Sequence, residues 1–165
     1  MARLFYTVRE GQESDARAMR AIEKECFGRG AWTLAEFKDA LRKKTTKSSL
    51  GYPTKVWVAE YVGKMAGFVL AWYERDPMRK GKMIPHIGSI DTAVKHRGKG
   101  VATMLLDQAH AHFRRLDHNR ISLQVSADNP AQCLYFRLGY RTVRFMPRCT
   151  TALGNGGALW MEKML

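Results

Sequence analysis

Between residues 86 and 116 the chain reads as a strand, a short basic loop with two glycines, and a helix, and no other stretch limits the fold as much. His86 to Val94 has strand character, Lys95-His96-Arg97-Gly98-Lys99-Gly100 follows, and Val101, Leu105, Ala109, Phe113 and Leu116 then form an amphipathic helical stripe. A helix that opens on glycines offers unpaired backbone N–H groups and the positive end of its dipole to an anion. The stretch therefore predicts a sheet with a helix packed on it and a phosphate-type ligand at the junction. It is not a dinucleotide fingerprint, because Thr103 stands where a third glycine is needed, and the chain contains no Gly-x-x-x-x-Gly-Lys-Ser/Thr for a nucleotidase loop.

The remaining elements follow from pattern. Residues 4–9 carry β-formers and predict a first strand, followed by the turn Glu10-Gly11-Gln12. Ser14 or Asp15 then caps a helix whose apolar positions are Ala18, Ile22 and Phe27, with Ala21 and Cys26 beside them, and Gly28-Arg29-Gly30 stops it. Thr33 with Glu36 three residues on is a capping box for a second helix with the stripe Leu34, Phe37 and Leu41. From Lys55 two apolar runs flank the turn at Val62-Gly63-Lys64, as in an antiparallel hairpin, and Asp76 to Pro85 reads as a polar loop. Ile121 to Ser126 is a strand by alternation, Asn129 caps a short helix with Pro130 at its first position, and Gly139 ends that helix. Tyr140 to Met146 and Ala158 to Met164 predict two closing strands joined by a loop containing Gly154-Asn155-Gly156-Gly157. This order predicts an α/β fold: a mixed sheet of about seven strands with four helices on both faces, in one domain over residues 1–165.

The bulk composition narrows the function classes. No apolar run approaches the roughly 20 residues that span a bilayer, and residues 1–6 lack the apolar stretch of a secretory signal, so no membrane association and a cytoplasmic location are expected. Cys26, Cys133 and Cys149 are widely spaced and odd in number, and His110 and His112 point to different faces of a helix, so neither a disulfide framework nor a metal site is expected. The net charge of +13 favours a polyanionic partner, a nucleotide-like cofactor or RNA among them. Aromatic and basic residues are not interleaved as a single-strand stacking platform requires.

At this point a family resemblance becomes visible. Arg97-Gly98-Lys99-Gly100-Val101-Ala102 resembles the Arg/Gln-x-x-Gly-x-Gly/Ala pyrophosphate motif of GNAT acetyltransferases and is followed by Met104-Leu105-Leu106 as in those sequences. Further on, Leu123-x-Val125-x-x-x-Asn129 with Ala131, Leu134-Tyr135 and Gly139-Tyr140 is similar to the strand and helix that complete the family's acetyl-CoA site. Glu25-x-Phe27 leading to Trp32, Phe37 and Leu41, His86-Ile87-x-Ser89-Ile90, and Ala158-Leu159-x-Met161 look closest to the N-terminal amine acetyltransferases, including those that modify ribosomal proteins. The resemblance implies the GNAT fold, acetyl-CoA as cofactor and a protein N-terminus or a small amine as acceptor. Ribosome association is consistent with the basic charge, and a monomer or homodimer with the family.

The resemblance also assigns roles. Tyr135 is the implied general acid, since a phenol can donate to a departing thiolate. Backbone N–H groups of Ile90, Asp91, Thr92, Ala93 and Val94 are implied to hold the acetyl carbonyl and pantetheine arm, and Arg97, Gly98, Lys99, Gly100, Val101 and Ala102 the pyrophosphate. Asn129 either bonds the pantetheine or caps its helix. Where related enzymes often carry a glutamate or histidine base on the fifth strand, this chain has Gln124, which takes no proton near neutral pH. Asp91 and His86 are substitutes by location, or the amine arrives neutral, as an α-amine of pKa near 8 partly does. Three readings follow: acetylation of a protein N-terminus, acetylation of a small amine, and an acetyl-CoA-binding regulatory or inactive homologue. Charge argues against polyamines unless an acidic pocket exists, and substrate choice is expected to lie in the loops 28–32, 74–85 and 147–157.

Overall fold

In the computed structural model, which describes residues 5–42, 53–147 and 156–165, the chain builds one seven-stranded mixed sheet in the order β1-β2-β3-β4-β5-β7-β6. The strands are β1 Tyr6–Glu10, β2 Lys55–Tyr61, β3 Lys64–Arg75, β4 Met83–Thr92, β5 Arg120–Ser126, β6 Arg141–Met146 and β7 Ala158–Met164. The helices are α1 Ala16–Phe27, α2 Leu34–Leu41, α3 Val101–Arg115 and α4 Gln132–Arg137. β1 to β4 pair antiparallel in sequence order, β4 and β5 are parallel neighbours linked through α3, and β7 inserts antiparallel between β5 and β6.

Strand alternation divides the core between the two faces of the sheet. Val56, Val58, Phe68, Leu70 and Trp72 meet Ala16, Met19, Ile22, Phe37, Ala40 and Leu41 of α1 and α2. On the opposite face Trp57, Val69, Ala71, Ile87, Ile121, Leu123 and Met161 meet Val101, Leu105, Leu106, Ala109 and Phe113 of α3. Phe37 and Phe68 are fully buried with their rings edge to face at 5.6 Å, so truncating either costs about 3–5 kcal/mol.

Several boundaries differ from the sequence reading. The stripe of α1 is Ala16, Met19, Ile22 and Glu23, whereas Ala18 and Ala21 are exposed, so the buried face is turned from the one the alanines suggested. Leu116 lies beyond α3 and is exposed. β4 begins at Met83, not His86, because the segment before it is a tight turn and not an open loop. Asp76 N–H donates to Lys82 O at 3.0 Å, and the buried Asp76 carboxylate takes Arg79 at 2.8 Å and stands 3.6 Å from Arg120. The capping box at Thr33 and Glu36 is present, with Thr33 Oγ1 accepting from Glu36 N–H at 3.2 Å. The first strand is described from Tyr6, and Gly154 and Asn155 of the closing loop lie outside the described residues.

Candidate active site

β4 and β5 are paired only at His86↔Ser122 and Ile87↔Leu123. Beyond that point β4 stays with β3 as far as Thr92, while β5 stays with β7 as far as Ser126, so the two parallel strands part. The gap between them opens into a cleft of about 400 Å³ lined on β4 by His86 and Ile87 to Ile90, on β5 by Leu123 to Ser126, and beyond β5 by Asn129, Ala131 and Tyr135. A second cleft of about 440 Å³ is lined by Thr92, His96, Arg97, Gly98, Gly100, Val101, Ala102 and Thr103 on one side and Leu134, Arg137 and Leu138 on the other. Ile90 and Thr92 are alternate residues of β4, and Tyr135 and Leu138 lie one turn apart on α4 and the turn that ends it. The clefts are therefore successive lengths of one groove.

The groove's backbone has identifiable donors. Ala93 N–H donates to Ala66 O at 2.9 Å, so by alternation Asp91 also turns its backbone groups to β3, and Ile90 and Thr92 turn theirs to the open side. Thr92 O accordingly accepts from Arg97 Nε at 3.3 Å. Val94 N–H is directed to Glu25 Oε2 at 3.3 Å. Gly98 and Gly100 take φ of +70° and +83°, and Gly100 is the N-cap of α3. Only glycine holds such angles without strain, and the bare backbone leaves the first turn of α3 open to a ligand. Lys99 Nζ donates to Lys95 O at 2.9 Å, which ties the loop to itself and keeps this side chain out of the groove lining.

Tyr135 stands where the two lengths of groove meet. Its ring packs edge to face on Tyr140 at 5.9 Å, it is only 7% exposed, and its hydroxyl has no hydrogen-bond partner among the described residues. A buried hydroxyl without a partner costs about 1–3 kcal/mol, which a ligand or water in the groove would recover. Burial, with the Asp91 charge adding to it, pushes the phenol up to about 12, so it is a protonated donor at neutral pH. Asn129 Oδ1 accepts from Ala131 N–H at 2.9 Å in the turn before α4, whose N-cap is Ala131 and which begins at Gln132, so Asn129 is not the cap and Pro130 not the first helical residue as the sequence suggested; Asn129 also lines the first cleft.

The titratable groups differ from what the sequence suggested. Asp91 is buried and does not line the groove, but Ser89, which does, donates through Oγ to Asp91 Oδ2 at 2.7 Å. Burial pushes the Asp91 carboxyl up to about 6, opposed by Ser89, Cys26 and Arg97. Cys26 is pushed up to about 11 by its own burial and by Asp91, so its thiol is unreactive near neutral pH. His86 lines the cleft, stacked on Trp160 at 4.9 Å. Ser122 Oγ donates to Pro85 O at 3.2 Å and has one proton, so the 2.9 Å contact with His86 is Nδ1–H donating to Ser122 Oγ. Burial lowers His86 to about 3, which makes it neutral and a weak base. Gln124 faces the cleft from β5 with Ser126, and Ala93, Val94 and Lys99 line neither cleft.

Further lining residues come together only in the fold, and of these Glu23 and Trp72 lie outside the segments the sequence pointed to. Glu23 of α1 is buried and accepts from Trp32 N–H at 2.8 Å. Glu74 of β3 accepts from Trp72 Nε1 at 3.3 Å, and the Trp32 and Trp72 rings stack at 6.1 Å. A Cβ on Gly88 would lie 1.8 Å from the Trp72 ring, so glycine there lets the indole cross β4 at the edge of the cleft. Of the loops expected to choose the substrate, Gly30, Trp32 and Glu74 contribute to the cleft, and residues 148–155 lie outside the described residues. No helix is long and apolar enough to cross a membrane, and among the described residues no group of His, Cys, Asp or Glu is arranged to hold a metal ion.

The same chain path recurs in solved structures. The ribosomal-protein-S18-alanine N-acetyltransferase from Escherichia coli matches with a TM-score of 0.75 at 18% identity, covering 97% of this chain and 94% of that one. NAA60 from Arabidopsis thaliana, solved with a bisubstrate analogue, matches with a TM-score of 0.79 at 17% identity over 97% and 98% of the two chains. IAA acetyltransferase from Bacillus cereus matches with a TM-score of 0.68 at 12% identity over 98% and 100%. Comparison with curated proteins returns no match. The family model described as acetyltransferase (GNAT) family matches residues 16–140, which contain the parted strands, the glycine loop and Tyr135. The chain belongs to the GNAT family of acetyltransferases.

Proposed function

We propose that this protein transfers an acetyl group from acetyl-CoA to a primary amine, and that the preferred acceptor is the α-amine of a protein N-terminus. The observation that carries the proposal is the buried hydroxyl of Tyr135, without a hydrogen-bond partner among the described residues, where the glycine-loop end of the groove meets the cleft between β4 and β5.

The groove has the parts that acetyl-CoA requires. The N-terminus of α3 with Gly98 and Gly100 is a phosphate cradle, flanked by Arg97 and by Arg137 of α4. Backbone groups of Ile90 and Thr92 on the unpaired side of β4 suit an amide-bearing arm, and Asn129 stands across from them. Val101 and Ala102 keep the wall of the loop end small and apolar, whereas Lys99 serves the loop's shape. Bound there, acetyl-CoA supplies an acyl group activated as a thioester.

This chain's own residues then handle the protons. The acceptor nitrogen forms its bond to the acetyl carbon, the carbon–sulfur bond breaks, and one proton leaves the nitrogen while one reaches the sulfur. Tyr135 Oη donates a hydrogen bond to the sulfur as charge builds on it; a phenol at about 12 stays protonated and outlasts a thiol of ordinary pKa near 8.5, so stabilisation by hydrogen bonding is its main contribution. On the nitrogen side, Ser89 Oγ can accept a proton while passing its own to Asp91 Oδ2 at 2.7 Å. Gln124 takes no proton, and His86 at about 3 is too weak a base. An acceptor that is partly neutral before it binds suits such a site, which favours an α-amine of pKa near 8 over a lysine near 10.4.

The test is acetyl-CoA binding by calorimetry alongside thiol release on N-terminal peptides, lysine peptides and small amines. The reading requires turnover on α-amine peptides, and loss of acetyl-CoA binding when Gly100→Glu puts a side chain and a negative charge at the α3 N-terminus. Binding without turnover on any amine would favour a regulatory acetyl-CoA sensor, and turnover on small amines alone would favour a small-molecule acetyltransferase.

A further inference from the structure

The groove is electrically divided. Its loop end is lined by Arg97 and Arg137 and faces the positive end of the α3 dipole. At the other end the formally charged lining residues are Glu23 and Glu74, no lysine or arginine among the described residues lines it, and His86 is held neutral by burial. In a chain of net charge +13 this acidic end runs against the overall balance. Glu74 accepts from Arg75 N–H at 2.9 Å and Trp72 Nε1 at 3.3 Å and has no cationic side-chain partner among the described residues. Trp72 and Trp32 are stacked with their planes 26° apart beside it. The Tyr135 hydroxyl, without a partner among the described residues and more than nine-tenths buried, lines the same cleft and marks its reacting end.

Carboxylates beside indole rings suit a cation on a long or flat carrier, because the charge pairs with the carboxylate while the stem or guanidinium plane lies on the ring. The cleft is open beside Gly30, which is exposed, so a chain entering it can continue into solvent. Long-range repulsion by the basic surface is screened within about 8 Å at physiological salt, whereas a group inside the cleft meets Glu74 directly.

We propose that the acidic end of the cleft is a subsite for a second positive charge on the acceptor, so that the substrates are peptides with Lys or Arg within the first two residues, the first bearing the acetylated α-amine. This rests on the α-amine acetyltransferase reading. The recognition elements are Glu74 and the Trp32–Trp72 pair, with Glu23, which accepts from Trp32 N–H, lining the same cleft.

The experiment measures kcat/KM for short peptides identical except at positions one and two, which carry Arg, Lys, Gln, Met or Glu, alongside 1,4-diaminobutane, at low and high salt. The Arg and Lys peptides are expected to exceed the Gln peptide by at least about tenfold, with the advantage shrinking as salt rises. Glu74→Lys is expected to reverse the order, so that the Glu peptide overtakes the Arg peptide. Equal use of Arg and Gln peptides, an Arg preference that persists in Glu74→Lys, or a diamine used better than every peptide overturns the subsite while leaving acetyl transfer standing. Absence of turnover on every peptide overturns the α-amine reading, and the subsite with it, and absence of turnover on the diamine as well overturns acetyl transfer. The wild-type series decides the matter even if the variant fails to fold.

Discussion

Ser89 Oγ and Asp91 Oδ2 are 2.7 Å apart, and this hydrogen bond joins the open cleft to a buried carboxylate that does not itself line it. Burial holds Asp91 at about 6, so above that pH it is ionised and able to take a proton through Ser89. The pH profile of kcat/KM is expected to rise through about 6 as Asp91 ionises, and again toward 8 as the acceptor α-amine becomes neutral. Asp91→Asn removes the lower limb, leaves the upper one, and lowers kcat/KM at pH 7 by roughly 10²-fold, the low end of general-base contributions. A superimposable profile in the variant would contradict the relay.

Tyr135→Phe separates a functional hydroxyl from a structural one. A side chain kept for packing would lose little activity on this change, whereas loss of a donor aimed at developing charge costs about 10²–10³-fold in kcat. Because the hydroxyl has no partner among the described residues, the variant is expected to be at least as stable as wild type, by up to about 1 kcal/mol, in urea unfolding. Activity and stability moving in opposite directions is the outcome that supports the role.

Gly88 is a steric requirement of the cleft. With the Trp72 ring 1.8 Å from the position of an added Cβ, Gly88→Ala forces the indole or β4 aside. The expected cost is about 1–3 kcal/mol, with a rise in peptide KM larger than any change in acetyl-CoA affinity, since the loop end of the groove is remote from Trp72. Unfolding midpoints and separate KM values for the two substrates check this.

Acid should destabilise the fold well before the surface carboxylates titrate. His86 and His110 are buried and lowered to about 3 and about 4, while in the unfolded chain each takes a proton near 6.5. Between those values only the unfolded state binds the extra protons, so this stability is fully present above about 6.5 and is lost as pH falls. Asp91 acts in the opposite sense from about 6 downward, because its folded form is protonated first. At pH 5 the histidines together cost about 4 kcal/mol and Asp91 returns about 1, a net loss of about 3 kcal/mol relative to pH 7. Unfolding free energies across this range test it, and His86→Gln should flatten the decline.

The parts of this protein that were legible in the sequence are those written in consecutive residues. The glycine loop and α3 form a local unit whose chemistry depends on spacing alone, and the Thr33–Glu36 box and the hairpin at Val62-Gly63 are equally local. The start of α4 shifts to Gln132 with Ala131 as its N-cap, because Asn129 holds its own turn through Ala131 N–H instead of capping the helix. What escaped was long-range. The buried face of α1 depends on which residues β3 presents to it, so Met19 and Glu23 displaced Ala18 and Ala21. The start of β4 depends on Asp76 finding Arg120 across the sheet. The acidic end of the cleft joins Glu74, at the edge of a segment expected to choose the substrate, to Glu23 of α1, which no motif links to it. Asp91 was found by location on its strand, but its link to the cleft through Ser89 required the side chains.

Acetyl transfer to an α-amine is tested most directly by thiol release from acetyl-CoA with N-terminal peptides, comparing wild type with Tyr135→Phe. Turnover on peptides with a free α-amine, absent when that amine is blocked and reduced at least about 10²-fold in the variant, is the predicted result. Acetyl-CoA binding with no thiol release on any amine, or release unaffected by Tyr135→Phe, would contradict it.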